Sequence, residues 1–208
     1  MTRFDRRTRL LAACLSALAG YVDALGYLRL GGFFVSFMSG NSTRLGVGLA
    51  QWSSNAALAG GLIATFVAGV FIGSLAGAAV GARRRPVVLV LVSLLLAIGA
   101  ALHLAAHEVS AIVAMALAMG AENAVFEEDG EVRIGLTYMT GTLVKVGQRF
   151  AAAATGGDRL AWAPYLLLWA GLVLGGVAGA SVYPFLGLGA LWLGSAAAAI
   201  FAIAAAFL

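Results

Sequence analysis

The chain alternates between long apolar runs and short polar interruptions. Six runs are long enough, at about 20 residues, to cross a bilayer as a helix, and they cover residues 9–28, 56–82, 87–106, 110–126, 161–182 and 185–207. Two further segments, 33–50 and 134–154, are apolar enough to enter a membrane but contain Ser, Thr, Asn, Gly and a basic residue. The two-residue alternation of a membrane barrel strand is absent from the sequence. The pattern predicts an all-α integral membrane protein.

A polar motif occurs twice in the chain. Residues 36–46 read SFMSGNSTRLG, and residues 137–147 read TYMTGTLVKVG. The strings GYVDA at 20–24 and GAENA at 120–124 keep nearly the same separation. Such self-similarity indicates that the fold consists of two copies of one unit. We place the two membrane repeats at residues 1–106 and 107–208.

The basic residues decide between six and eight membrane spans. With six spans and a cytoplasmic N-terminus, only Arg29 and Arg44 of the 13 basic residues lie outside, which agrees with the positive-inside rule. With eight spans, Arg83, Arg84 and Arg85 would lie outside as well. We therefore predict six spans, with both termini in the cytoplasm. Because each unit then has three spans, the second unit enters from the opposite side, which makes the two inverted-topology repeats.

The segments 33–50 and 134–154 are predicted to be broken or re-entrant half-helices, one entering from each side. Irregular backbone at membrane depth is tolerated only where protein or a water-filled cavity satisfies it, and a helix N-terminus attracts negative charge. The alternative is that both segments are amphipathic helices at the membrane surface. On the half-helix interpretation they converge on one midplane substrate site, whose candidate residues are Ser39, Gly40, Asn41, Thr140, Gly141, Thr142 and Asn123.

Two acidic residues lie inside predicted spans. Asp23 is in the first span, and Glu122 is beside Asn123, the counterpart of Asp23 in the second unit. A charge at the bilayer centre costs about 3 kcal/mol on insertion scales, so we expect both side chains to face the protein interior or water. Both are candidates for proton or cation coupling. The alternative for Asp23 is a structural hydrogen bond to the interrupted segment.

Two cations follow the repeated glycines. Arg44 and Lys145 stand four residues after Gly40 and Gly141, which is about one helical turn. As a symmetric pair they are candidates to attract an anionic substrate at the two entrances. The alternative is that each extends to the membrane interface as an ordinary snorkelling side chain.

Glycines recur every four residues in two of the predicted spans. A stripe of small residues lets helices approach closely, so we expect a role in helix packing. The two striped helices could cross each other or form a dimer interface. The glycines concerned are Gly69, Gly73, Gly77, Gly171, Gly175 and Gly179.

Composition supports the membrane assignment and limits the chemistry. Hydrophobic residues make up 62% of the chain and charged residues 11%, against about 25% charged in soluble domains. The sequence has no nucleophile elbow, zinc motif or phosphate loop. His103 and His107 have the spacing of metal ligands, but no further ligand cluster is apparent beyond Glu108. We therefore expect no enzyme activity, no metal and no cofactor. The expected partners are the lipid bilayer, a small-molecule or ion substrate and, as an option, a second copy of the chain, with no nucleic acid.

Four strings make the chain resemble a known family. GYVDA at 20–24, FMSGN at 37–41, MGAENA at 119–124 and TYMTGTL at 137–143 resemble the YoaK-like family of bacterial inner-membrane proteins. The resemblance covers essentially the whole chain and implies a multi-pass protein of the bacterial cytoplasmic membrane. It implies no substrate, because the family is one of unknown function. The family commonly has Thr at Ser39 and Gln at Glu122, so a role for Glu122 does not follow from it.

The function that these features favour is a small secondary transporter or permease for a small polar or anionic solute. Proton coupling through Asp23 or Glu122 is left open. The alternatives are a passive ion or solute channel and a membrane scaffold or sensor subunit without flux.

Overall fold

The computed structural model describes residues 4–128 and 130–207, so residues 1–3 of the first predicted repeat, including Arg3, and residues 129 and 208 of the second lie outside it. Most of the described chain is helical, as the sequence predicts. A hairpin of two short strands, β1 (Glu127–Glu128) and β2 (Glu131–Val132), follows the fifth helix. The helices are α1 (Arg6–Arg29), α2 (Met38–Ala50), α3 (Asn55–Val80), α4 (Arg84–Leu104), α5 (Glu108–Glu122), α6 (Met139–Ala154), α7 (Ala163–Leu186) and α8 (Leu191–Ala205).

Four helical stretches of the described chain are long and apolar enough to cross a membrane: Arg6–Arg29, Asn55–Leu104, Glu108–Phe126 and Ala163–Ala205. The second and fourth contain 50 and 43 residues. Each is interrupted by a short 3-10 turn, which separates α3 from α4 at Gly81 and α7 from α8 at Gly187. Both glycines have a positive φ, 54° and 53°, a backbone conformation that other residues adopt only with strain.

Glycines allow α7 to lie directly on α1. Gly171, Gly175 and Gly179 follow one another along the backbone carbonyls of residues 13, 17 and 21, so the two helices run parallel. A Cβ atom at Gly171 or Gly179 would stand 2.5 Å from a carbonyl oxygen of α1. The absence of a side chain is therefore what permits the contact.

The glycines of α3 make the same contact with α5. Gly69 lies against the carbonyl of Leu117, and Gly73 lies against Ala121. The two striped helices thus pack on the first helix of the other unit rather than on each other. Gly69 corresponds to Gly175 in these contacts, because the residues they meet, Leu117 and Ala17, are 100 residues apart, like the strings at 20–24 and 120–124. Gly77, which was expected to pack against a helix backbone, faces the side chain of Arg84.

Each helix pair described above has a counterpart in which the two units have swapped roles. α1 packs on α7 as α5 packs on α3, and α2 packs on α3 as α6 packs on α7. The remaining helices, α4 and α8, pack on each other through Ser93 and Ser195. Each serine hydroxyl donates to the carbonyl oxygen of the other residue at 2.9 Å. These reciprocal bonds join α4 of the first unit to α8 of the second.

Several chain segments share one end of the helix bundle, which we name the basic end. An apolar cluster there joins Leu11 near the start of α1, Val88 near the start of α4, Phe126 after α5 and Ala205 at the end of α8. Arg84 pairs there with Glu127 at 3.2 Å, and Ser74 donates to the same carboxylate. Glu127 of the hairpin therefore contacts both α3 and α4.

The opposite end of the bundle has a smaller polar cluster. Arg29 at the end of α1 pairs with Glu108 at the start of α5, with 3.2 Å between nitrogen and oxygen. The Nδ1 atom of His103 lies 2.8 Å from the other Glu108 oxygen. The C-terminal ends of α1 and α4 therefore meet the N-terminal end of α5 here.

We expect Gly69→Ala to destabilise the protein, because its Cβ would collide with the Leu117 carbonyl, which cannot move without α5. A loss of about 1–3 kcal/mol in the free energy of unfolding is typical of such overpacking, and thermal unfolding in lipid nanodiscs measures it. Gly61 is the matched control, since it lies on the exposed side of α3 and no atom is within 4 Å of its Cβ position. Equal melting temperatures for Gly69→Ala and Gly61→Ala would contradict the close packing of α3 on α5.

Candidate functional site

Both half-helices start later than the sequence predicts. α2 begins at Met38 and α6 at Met139, each five residues inside the predicted segments 33–50 and 134–154. The residues in between are non-helical and connect each half-helix to the preceding part of its unit. Their backbone groups therefore need partners other than those of a helix.

Asp23 supplies partners for the first of these stretches. Its Oδ1 atom accepts hydrogen bonds from the backbone N–H of Val35 at 2.7 Å and of Ser36 at 2.9 Å. Asp23 stands six residues before the end of α1, so these bonds hold the stretch about 9 Å back from that end. These contacts match the alternative role predicted for Asp23, a structural hydrogen bond to the interrupted segment. They also bring the start of α2 into the bundle.

Asn123 has the equivalent position in the second unit. Its Oδ1 atom accepts a hydrogen bond from the Thr137 hydroxyl at 3.2 Å, and its amide donates to the Met119 carbonyl at 3.0 Å. Ser16 of α1 donates to the neighbouring Leu136 carbonyl at 3.1 Å. The structure thus places Asn123, a predicted substrate ligand, in the support of the stretch before α6.

Two further predicted ligands also maintain the shape of the first stretch. Asn41 is fully buried, and its side-chain amide accepts from the Phe34 N–H at 3.1 Å and donates to the Phe34 carbonyl at 2.7 Å. Gly40 lies under the Phe37 ring, where a Cβ would be 2.6 Å from a ring carbon. Neither residue lines the cavity described next.

The starts of α2 and α6 meet at one cavity of about 310 Å³, which we name the central cavity. The structure brings three predicted site residues together there, Ser39, Thr140 and Gly141. The other residues that line it are Ser36, Phe37, Met38, Phe66, Thr137, Tyr138 and Met139.

The central cavity combines apolar walls with hydrogen-bond donors. The first N–H groups of a helix have no carbonyl partner within it, and neither Phe37 nor Tyr138, the two N-cap residues, supplies a side-chain cap. The positive ends of two helix dipoles therefore face this space. None of the described residues that line it is charged. Such surroundings suit a solute with a hydrogen-bond acceptor or one negative charge.

The two predicted entrance cations have different surroundings. The Arg44 guanidinium lies over the Phe33 ring, 4.6 Å from its centroid. The Lys145 ammonium lies 5.6 Å from the centroid of the Tyr165 ring and lines a second cavity of about 170 Å³. Thr142, the last predicted ligand, lines this second cavity too. We name it the α6 pocket.

Glu122 is a fully buried carboxyl group. Neither of its oxygens has a hydrogen-bond partner among the residues that the structure describes. Burial of an unpaired polar group costs free energy, and such groups are rare in folded proteins. Unlike Asp23, the other candidate for coupling, Glu122 thus has no hydrogen bond within the described chain that holds its carboxyl group in place.

Sequence reasoning missed most of the residues that line the central cavity. Phe66 gave no signal, because it is one apolar residue within a long apolar span. The remaining six lie within or beside the residues selected from the repeated motif, so treating the whole motif as the site would have included them. They are Ser36, Phe37, Met38, Thr137, Tyr138 and Met139.

Comparison with known proteins identifies relatives but no activity. The profile of a family described as "Protein of unknown function (DUF1275)" matches residues 11–204. The UPF0700 transmembrane protein RA0705 of Rhizobium meliloti (strain 1021) is 39% identical over 196 residues, which is 94% of this chain and 84% of the relative. No solved structure matches the chain.

We expect Asp23→Ala to loosen the stretch before α2, because Val35 and Ser36 lose their charged acceptor. Hydrogen bonds to charged groups contribute about 1.5–3 kcal/mol, so amide exchange at these two residues should rise at least tenfold. Hydrogen–deuterium exchange of the protein in nanodiscs measures this rate. Asp23→Asn keeps an acceptor oxygen and should show a smaller rise. Unchanged exchange in Asp23→Ala would mean that the carboxylate does not hold the stretch.

Proposed function

The chain belongs to the DUF1275 family, whose function is unknown, and for this multi-pass transmembrane protein we propose the function of a permease that moves a small polar or anionic solute. Membership in a membrane family of unknown function confirms the resemblance found in the sequence. The proposal itself comes from the geometry of the chain.

The observation that supports a permease most directly is the central cavity between the two half-helices. Paired half-helix N-termini are a recurrent way for a transporter to hold a solute within the membrane. Here the donors come from both units, with hydroxyls of Ser39 and Thr140 on either side. None of the cavity's described lining residues is a His, Asp, Glu or Lys that could act as a general base for these hydroxyls, which favours binding and release over an enzyme reaction.

Six spans in two inverted units account for the helix directions. α1 and α7 run parallel, and so do α3 and α5. The first helix of one unit is thus parallel to the second long helix of the other unit, as inversion requires. α2 and α6 then lead from the central cavity to opposite ends of the bundle, each as a re-entrant half-helix.

The basic end of the bundle supports a cytoplasmic location for both termini. The start of α1, the α3–α4 turn, the β-hairpin and the end of α8 share this end, and it carries Arg84, Arg85 and Arg133. The positive-inside rule places such an end in the cytoplasm. In a bacterial cell the membrane concerned is the cytoplasmic (inner) membrane.

Asp23 and Glu122 both stay candidates for proton coupling. Both Glu122 oxygens are unpartnered within the described chain, but the side chain is fully buried and lines neither the central cavity nor the α6 pocket. Asp23 is held by two backbone bonds instead. A homodimer stays a prediction of the sequence alone.

The number of spans is tested by labelling single cysteines with a membrane-impermeant thiol reagent in a Cys14→Ala background. Gln51 and Asp158 are both exposed and follow the two half-helices. Under six spans, Gln51→Cys should react from outside the cell and Asp158→Cys only after the membrane is permeabilised. If both residues react only after permeabilisation, the half-helices span the membrane and the inverted arrangement is wrong.

The site is tested by Gly141→Leu, which should reduce transport at least tenfold by filling the central cavity. No atom is within 4 Å of the Cβ position at Gly141, so the variant should fold. Gly147→Leu is the matched control, because that glycine is equally open on α6 but does not line the cavity. Currents on solid-supported membranes measure transport of small carboxylates, phosphate, amino acids and alkali cations.

The same experiments separate the alternatives. A permease gives saturable transport with counterflow, whereas a passive channel gives conductance without counterflow. Equal transport in Gly141→Leu and Gly147→Leu would exclude the central cavity as the route. A folded protein that moves none of these solutes would favour a scaffold or sensor.

A further inference from the structure

The α6 pocket adjoins the central cavity and lies on its basic side. Tyr138 and Gly141 line both spaces, so they form the boundary between them. The pocket also reaches Val132 of β2 and Leu168 near the start of α7, which belong to the basic end. A solute that approaches from that end meets the α6 pocket before it meets the central cavity.

Two polar groups in the α6 pocket lack a protein partner. Lys145 is exposed, forms no ion pair with any residue that the structure describes, and has one charge-related contact, with the Tyr165 ring. The Thr142 hydroxyl forms no hydrogen bond within the described chain and is open to the pocket, so it can donate to a ligand there. A second cation, Arg133, lines the same pocket and pairs with Glu128 and Glu131. An ammonium group pairs most strongly with a carboxylate or phosphate. Together they point to an anionic ligand.

The central cavity limits the charge and shape of that ligand. Its donors are neutral and none of its described lining residues is charged, so a doubly charged anion would lose its hydration without an opposing charge. Phe37 and Phe66 give it apolar walls, which suit an organic body. One negative charge attached to a short apolar group fits both spaces.

We propose that the α6 pocket binds the carboxylate of a small monocarboxylate at Lys145 and Thr142, and that the solute passes Tyr138 to reach the central cavity. The passage rests on the proposed permease function, whereas binding in the pocket does not. The two entrances are then unlike, because Arg44 is packed on Phe33 and lines neither cavity.

Binding is tested with sodium propionate as the probe and the full chain in neutral-lipid nanodiscs, followed by titration calorimetry. Lys145→Gln should weaken propionate binding about tenfold, which is the loss of one charge-assisted hydrogen bond. Lys145→Arg should retain binding within about threefold. Thr142→Val, nearly the same shape, should weaken binding without changing the charge of the pocket.

The matched control is Arg149→Gln, which removes one positive charge from the same helix one turn later. Arg149 is exposed and does not line the pocket, so its loss should leave propionate affinity unchanged. Propionamide and propylammonium should not compete with propionate, and succinate should compete weakly. Equal weakening by Lys145→Gln and Arg149→Gln, or equal affinity for propionamide, would overturn the assignment.

Transport measurements distinguish this proposal from the permease itself. If propionate binding depends on Lys145 but no solute crosses proteoliposomes, the site is correct and the permease function is wrong. If a neutral or cationic solute crosses, depends on Gly141 and ignores Lys145→Gln, the permease stands and the monocarboxylate assignment fails.

Discussion

The structure depends on one constraint, which is that backbone donors inside a membrane need partners. Two non-helical stretches enter the bundle before α2 and α6, and each is supported from the first helix of its own unit. Asp23 accepts two backbone N–H groups in the first unit, whereas Asn123 accepts the Thr137 hydroxyl in the second. These supports position the two stretches so that the starts of α2 and α6 both line the central cavity.

The sequence was most informative where one physical property determines the outcome. Apolar length located the long helices, and the repeated polar strings located the segments that meet at the cavity. It was less informative about where a half-helix begins, since the five residues before Met38 are as apolar as a helix turn. It also could not assign Phe66 to the cavity or pair Gly69 with Leu117, because both depend on the relative position of distant helices.

The two units share a framework but differ in their chemistry. Glycines let α7 pack on α1 and α3 pack on α5, so the helix pairing is the same after exchange of the units. The polar positions differ between the units, because Glu122 corresponds to Val22, and Lys145 lines a pocket whereas Arg44 packs on Phe33. The two units thus share their packing and differ in their polar chemistry.

The reciprocal bonds of Ser93 and Ser195 limit how the two units can move against each other. Each hydroxyl donates to the backbone carbonyl of the other residue, so sliding α4 along α8 would break both bonds together. A rearrangement of the bundle that keeps these bonds moves α4 and α8 as one rigid pair.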